Sequence, residues 1–314
     1  MKRSSFPFLL AATWLFNSCQ PHYSSDIVCE TYVHRYGMPL APQEWSSRGQ
    51  DGQIISTKKD GVTITASYEA GVLNGETIET FPHRDTIAKR LLYVQGQLVQ
   101  QVDYYLNGMP KEQTTYEGNC HHVLGWYESG IPKFEENYQD GFLQNGEYRD
   151  HHQQLLSQVS NGYGLRTIQN DYGQLLFVDE VKEGQISVRR TFHLNGSPET
   201  VTPYVNGIIE GERYTYNIGG DPATVEEWSG NLQHGNTQVF ENGEKIADQP
   251  YAFGRLHGIE YRYRAGSQLA QENHWSDGKR HGPCHHYVDA IKQTEWFFEG
   301  ESVSRRNFEA LSNQ

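Results

Sequence analysis

From about residue 50 to residue 303 the chain alternates short runs of apolar and polar residues, and glycine interrupts the runs at a steady interval. The segments YEAGVLNGETIET from Tyr68, YQDGFLQNGEY from Tyr138 and YVNGIIEGERYTY from Tyr204 share one plan. So do WSGNLQHGNTQVF from Trp228, YAFGRLHGIEYRY from Tyr251 and WSDGKRHGPCHHY from Trp275. Each places an aromatic residue shortly before a glycine, then a second glycine a few positions on. Alternation with a period of two predicts strands, and glycine allows the positive φ that tight hairpins require. The first glycines are Gly71, Gly96, Gly118, Gly141, Gly162, Gly184, Gly207, Gly230, Gly254, Gly278 and Gly300, with successive spacings between 21 and 25 residues. Regularity of that kind marks a repeat architecture before any single motif is considered.

A second punctuation falls halfway along each unit: Asn107-Gly108-Met109-Pro110, Ser129-Gly130-Ile131-Pro132, Asn195-Gly196-Ser197-Pro198, Gly219-Gly220-Asp221-Pro222 and Asn242-Gly243. A unit therefore reads strand, tight turn, strand, tight turn. The residue before the second glycine is Asn74, Asn145, His234, His257 or His281. Asn and His are enriched at left-handed positions, so these pairs, with Gly75, Gly146, Gly235, Gly258 and Gly282, are expected to form turns. Positions three and five after the second glycine hold rings such as Tyr214, Tyr216, Tyr261 and Tyr263, which predicts the packed face. Positions two and four, Arg213 and Thr215 or Glu260 and Arg262, then belong to the solvated face. The pattern weakens in the middle, where Gly184 has no partner glycine and residues 151–165 fit loosely. The predicted fold is all-β: an elongated antiparallel β-meander of hairpins spanning residues 49–303, with about ten to eleven units.

The succession Gly-x-x-His/Asn-Gly, Glu-x-Tyr-x-Tyr, Asn-Gly-x-Pro and then an aromatic with glycine resembles the MORN-repeat variant family. The likeness covers residues 50–303. It implies an elongated, twisted MORN-like antiparallel sheet, and bacterial members include exported lipoproteins and proteins labelled as antitoxins. It carries over no catalytic residue.

The ends of the chain differ from the repeats. Lys2 and Arg3 precede an apolar stretch from Phe6 to Phe16, too short to span a bilayer and typical of a secretory signal. It ends Leu15-Phe16-Asn17-Ser18-Cys19, a small residue directly before cysteine, as at a bacterial lipoprotein cleavage site. The expectation is a signal peptide over 1–18, a lipidated Cys19 with a tether over 19–48, and a tail over 304–314. The exported protein would then be anchored in a bacterial lipid bilayer, facing the periplasm or the cell surface. Ordinary signal cleavage near Ser18 is the alternative.

Composition narrows the function classes. The formal charge is −13, which argues against a nucleic-acid partner. Three further cysteines, Cys29, Cys120 and Cys284, cannot form a dense disulfide framework. Cys120-His121-His122 and Cys284-His285-His286 invite a zinc reading. In an open sheet, however, seven units separate them by roughly 65 Å, against ligand distances of about 2.3 Å. No metal or cofactor is expected. His234, His257 and His281 recur about 10 Å apart, a titratable stripe rather than a ligand set. No nucleophile elbow, His-Glu-x-x-His, phosphate loop or dinucleotide fingerprint occurs. Glu135-Glu136 and Glu226-Glu227 read as solvated charges. If the sheet has a single layer, Trp126, Trp228, Trp275 and Trp296 are candidate interaction aromatics. The leading expectation is a non-enzymatic envelope lipoprotein presenting a long protein-binding surface. An antitoxin-like binder of a basic partner, and a carbohydrate-binding or carbohydrate-acting protein, are the alternatives.

Overall fold

The computed structural model describes residues 26–265, 267–288 and 291–313. Cys19 and the signal segment lie outside the described residues. The described residues fold as one open, 28-stranded antiparallel sheet in which strands follow one another in chain order. The predicted meander is present from Gly52–Lys58 to Glu301–Val303. It also begins earlier than expected. Residues assigned to a tether form the strand Ile27–His34, which pairs along Gly52–Lys58, the short strand Pro39–Leu40 and the helix Pro42–Ser47. Trp45 of that helix is buried against Tyr32 and Tyr68, at 5.6 and 6.1 Å between ring centres, so an aromatic contact draws the segment onto the sheet. The tail likewise forms a helix, Arg305–Ser312, capped by Ser304 and seated through Phe308 on Trp296 at 5.1 Å.

The first glycines occupy the hairpins along one edge. At all of them but Gly118 both central residues have positive φ, for example Gln95 at 49° and Gly96 at 80°, or Asp277 at 50° and Gly278 at 80°. That is the I′ geometry whose twist matches the flanking strands. The halfway glycines, such as Gly108 and Gly196, sit in the turns of the opposite edge.

The second glycine behaves differently from expectation. Asn74-Gly75, Asn145-Gly146 and His234-Gly235 lie inside strands, and His257-Gly258 and His281-Gly282 lie where a strand is interrupted. In the first three the pairing register shifts at this point, so the pairs make bulges rather than turns. None of Asn74, Asn145, His234, His257 and His281 has positive φ, and Gly146 does not either. The glycines have a packing reason. Gly75, Gly211, Gly235, Gly258 and Gly282 stand directly across from Tyr93, Trp228, Tyr251, Trp275 and Phe297 of the following strand. A Cβ added at them would face the strand before, at Ser67, Pro203, Glu227, Pro250 and His274, and all five hold φ between 95° and 111°.

The residue before that glycine staples successive units. Its side chain accepts a backbone N–H from the next hairpin of the same edge: Gln95 N–H to Asn74 Oδ1 at 3.0 Å, and Asn161 N–H to Asn145 Oδ1 at 3.2 Å. Phe253, Asp277 and Glu299 N–H reach Nδ1 of His234, His257 and His281 at 3.5, 3.4 and 3.4 Å. Asn and His interchange here because each offers an acceptor at one position. A doubly protonated imidazole offers none. The opposite edge is stitched by rings. Tyr105 and Tyr127 donate their hydroxyls to the carbonyls of Trp126 and Arg149, at 2.9 and 2.8 Å. His151 and His193 pair through Nε2 with the carbonyls of Asp171 and Tyr216.

Two sets of variants test this account by chemical denaturation. Gly108→Ala meets open space at φ 85° and is expected to cost about 1 kcal/mol from backbone conformation. Gly184→Ala would place a methyl 2.7 Å from Phe142 Cβ and 3.1 Å from the Leu143 carbonyl oxygen, and is expected to cost at least about 2 kcal/mol. His257→Ala should lose about 0.5–1.5 kcal/mol, whereas His257→Asn should keep nearly all of it. Equal loss in both would show that the staple contributes nothing.

Candidate functional site

The buried side chains concentrate on one face, and they sit where solvated positions were expected. Position two after the second glycine is the most buried of the repeat: Thr77, Tyr148, Thr237, Glu260 and Cys284 are all buried, Tyr148, Glu260 and Cys284 completely. The rings at positions three and five, Tyr214, Tyr216, Tyr261 and Tyr263, are only half-buried. Alternation was legible, but its sense was inverted. The ring that packs this face comes from the aromatic before the first glycine, not from the tyrosines after the second.

Following the register, this face carries a row of side chains that changes character along the sheet. Its first part is mixed and mostly uncharged: Ala66, Thr77, Leu91, Gln101, Thr114 and Val123 stand successively opposite one another. Val123 then faces Glu136, which is 2 % exposed rather than solvated. Glu136 accepts hydrogen bonds from Tyr138 at 2.8 Å, Tyr148 at 2.9 Å and Arg166 Nε at 2.5 Å. Arg166 stands opposite the fully buried Asp179, which in turn holds Arg189 through two bonds of 2.7 and 2.8 Å. Beyond Thr202, Arg213 pairs with Glu226 at 3.0 Å, and Glu226 also accepts from the Trp228 indole at 2.8 Å. The row then reaches Glu260, enclosed by Gln249, Arg262, Asn273 and Trp275 at 2.7 to 3.0 Å.

These partners set the electrostatics. Burial alone raises the carboxyl of Glu260, but hydrogen bonds from Gln249, Arg262, Asn273 and Trp275 outweigh it and hold the group below its ordinary value. Asp248, on the other face, is depressed in the same way: burial opposes, and Lys245, Tyr263 and Asn236 prevail. Glu112 lacks such partners and is raised, by burial first and then by Asp103 and Glu136. Burial and Glu136 push Tyr138 and Tyr148 far above the usual phenol range. A group tied to four donors is a poor proton carrier; the row is built to stay charged and fixed.

Above its middle lies a cleft of about 460 Å³. Arg166 and Arg189 form the floor, Tyr138, Leu143, Ile186 and Tyr204 the walls, and the hairpin glycines Gly141, Gly184 and Gly207 the rim. The cleft sits where the repeat is weakest in sequence. The bond from each hairpin to the preceding unit continues here, Gly162 N–H to the Gln144 carbonyl and Gly184 N–H to Gly162, and one further bond joins units two apart, Leu143 N–H to the Gly184 carbonyl. Leu143, Tyr148, Val159, Ile168 and Val181 pack into the apolar cluster beneath.

The candidate tryptophans are all half-buried. Trp228 and Trp275 spend their indole N–H on Glu226 and Glu260, and Trp296 is covered by Phe308. Trp126 flanks the opposite edge, its carbonyl taken by Tyr105. Of the two cysteine–histidine groups, Cys120 is exposed beside a hairpin and Cys284 is enclosed, its thiol raised by burial. His121 stacks on Tyr138 at 4.4 Å and His122 meets Glu135 at 2.8 Å. His285 bonds Thr294, and His286 lies 3.9 Å from Glu295. Among the described residues no group of three or more His, Cys, Asp and Glu side chains is arranged to hold a metal ion. Nor is any described helix long and apolar enough to cross a membrane.

No family model and no curated protein matches the chain. Among solved structures it is similar to the Photorhabdus luminescens Tc holotoxin pore, at 11% identity and a TM-score of 0.21 over 87% of this chain and 20% of that one. A second is the TcdB2–TccC3 crystal structure, at 11% identity and 0.21 over 86% and 20%. The chain spans about a fifth of the length of each, and likeness at that score bears on neither fold nor function.

Arg166→Met would leave Glu136 buried without its cation and is expected to cost about 3–5 kcal/mol in denaturation. For Glu260 the folded value is depressed from 4.5, so its contribution is present above that pH and is lost as pH falls through the folded value. Stability measured from pH 7 down to pH 3 should therefore decline on the acid side. Glu260→Gln should lower stability at pH 7 and flatten that decline; an unchanged acid limb would contradict the assignment.

Proposed function

We propose that this protein is a non-enzymatic repeat scaffold, anchored in a bacterial envelope through a lipidated Cys19, whose sheet binds another protein. The observation that supports it best is the open face itself. An arginine- and tyrosine-lined cleft lies over a row in which the charged groups are already committed to one another. Such a floor offers fixed shape and dipoles to a partner rather than a proton to a substrate. The repeat residues support membership of the MORN-repeat variant family, and the signal segment supports export. The charge of −13 favours a basic partner, which is the antitoxin-like form of the same reading. The carbohydrate reading is weaker, since two of the four tryptophans have their indole N–H occupied internally.

Capture from envelope extracts tests the surface. The intact protein should retain a partner that Ile186→Asp and Tyr204→Ala lose, with circular dichroism unchanged. Retention by both variants would move binding away from the cleft. A basic partner should dissociate as salt rises well above about 0.15 M, where the screening length falls below about 8 Å. Cys19→Ala, or globomycin, should leave the precursor unprocessed; normal processing in either case would remove the lipid anchor.

A further inference from the structure

The cleft over the middle of the sheet holds donors that its own network leaves over. Arg189 gives Nε and Nη2 to Asp179, while Arg166 gives Nε to Glu136 and Nη1 to Asp179. Nη1 of Arg189 and Nη2 of Arg166 have no partner among the described residues, and neither atom is enclosed. Each carries two N–H groups. The hydroxyl of Tyr204 lines the same space and is likewise without a partner among the described residues. Both guanidiniums are held in place: they lie 4.5 and 5.4 Å from the ring of Phe177, which stands on the strand between theirs.

The strands order the lining by depth. Along Gln185–Phe192 the chain runs from the rim at Gly184 through Ile186 to Arg189. Val181 stands opposite Ile186, and Asp179 opposite Arg189. An occupant entering over the hairpins therefore meets apolar wall first and guanidinium N–H last. Phe177 does not line the cleft, which ends at the arginines. Tyr138 and Tyr204 belong to the first and last strands that line it, so a ring bounds it at each end across the sheet. A polypeptide can finish in such a space more readily than run through it.

The geometry points to the C-terminus of the partner as the occupant: a free carboxylate on Arg166, Arg189 and Tyr204, and an aliphatic or aromatic last side chain among Leu143, Val181 and Ile186. This rests on the cleft being the protein-binding site. A carboxylate is planar and accepts several N–H bonds at once, which is what two fixed guanidiniums present. An aspartate or glutamate side chain offers the same head, but its main chain would have to continue past the rings or the arginines. The charges of Arg166 and Arg189 are already balanced by Glu136 and Asp179. The site thus selects through donors set in position beside an apolar wall, not through excess positive charge. The overall charge of −13 suits a partner that is basic before its last residues.

Fluorescence anisotropy of the full chain with dye-labelled peptides tests this. The peptides are lysine-rich at their N-terminal ends, finish in leucine, isoleucine or phenylalanine, and are made both as free acids and as C-terminal amides. The acids should bind at least about ten-fold more tightly than the amides, a comparison that needs no variant. Arg189→Lys keeps a cation for Asp179 but loses the spare nitrogen, and should remove most of that difference. Tyr204→Phe deletes only a hydroxyl and should weaken the acids about three-fold, with an unchanged unfolding midpoint. Acids and amides bound alike, and both lost in Ile186→Asp, would overturn the carboxylate and leave the cleft as the binding site. Isohexanoate displacing the peptides at equal concentration would assign the donors to a free organic acid and overturn it as well. So would the absence of any peptide binding; an extract partner kept by the intact protein and lost by Ile186→Asp would then still uphold the cleft.

Discussion

A single open sheet depends on how its hairpins are stitched side by side, and the glycine at each strand irregularity is the constraint on which that stitching rests. Gly75, Gly211, Gly235, Gly258 and Gly282 hold φ between 95° and 111°, and a Cβ there would face Ser67, Pro203, Glu227, Pro250 and His274 of the strand before. The same bulge turns the preceding Asn or His side chain toward the next hairpin, where it accepts a backbone N–H. Packing within a unit and stitching between units therefore depend on one glycine.

Charge replaces much of the apolar core such a sheet lacks. Glu136, Asp179 and Glu260 would each be expensive to bury alone, but each is met by several donors, and Arg166 bridges the first two. The network has no slack at its centre. Arg189 binds Asp179 with both ends of its fork, and its guanidinium lies 4.5 Å from the Phe177 ring. A cleft laid over such a floor is rigid without a hydrophobic core beneath most of its length. The apolar cluster around Leu143 and Tyr148 appears where Leu143 N–H reaches across two units to the Gly184 carbonyl.

Much of this was legible in the residues, and the misreadings have specific causes. Glycine spacing located the hairpins of one edge, since a I′ turn needs positive φ twice and glycine supplies one of the two; turns without glycine, such as residues 150–154, carried no such mark. The same reasoning misjudged His234, His257 and His281, because histidine suits both a left-handed turn and an acceptor role, and only the strand register separates them. Glu260 was placed in solvent by alternation with the tyrosines at positions three and five, and its donors Gln249, Asn273 and Trp275 arrive from neighbouring strands. Residues 27–47 look like a linker in isolation; Trp45 finds Tyr32 and Tyr68 only after the meander has formed.

By itself the sequence determined the meander, because strands, turns and their order are written in local conformational preference at a repeating interval. It also kept Cys120 and Cys284 apart, since chain-order pairing alone separates them. Only the tertiary structure decided which face is buried and where the cleft opens. Period-two alternation is symmetric about the plane of a sheet. What breaks the symmetry is a cross-strand fit, an arginine between two carboxylates and a carboxylate among four donors, between residues that the chain order places a strand or more apart.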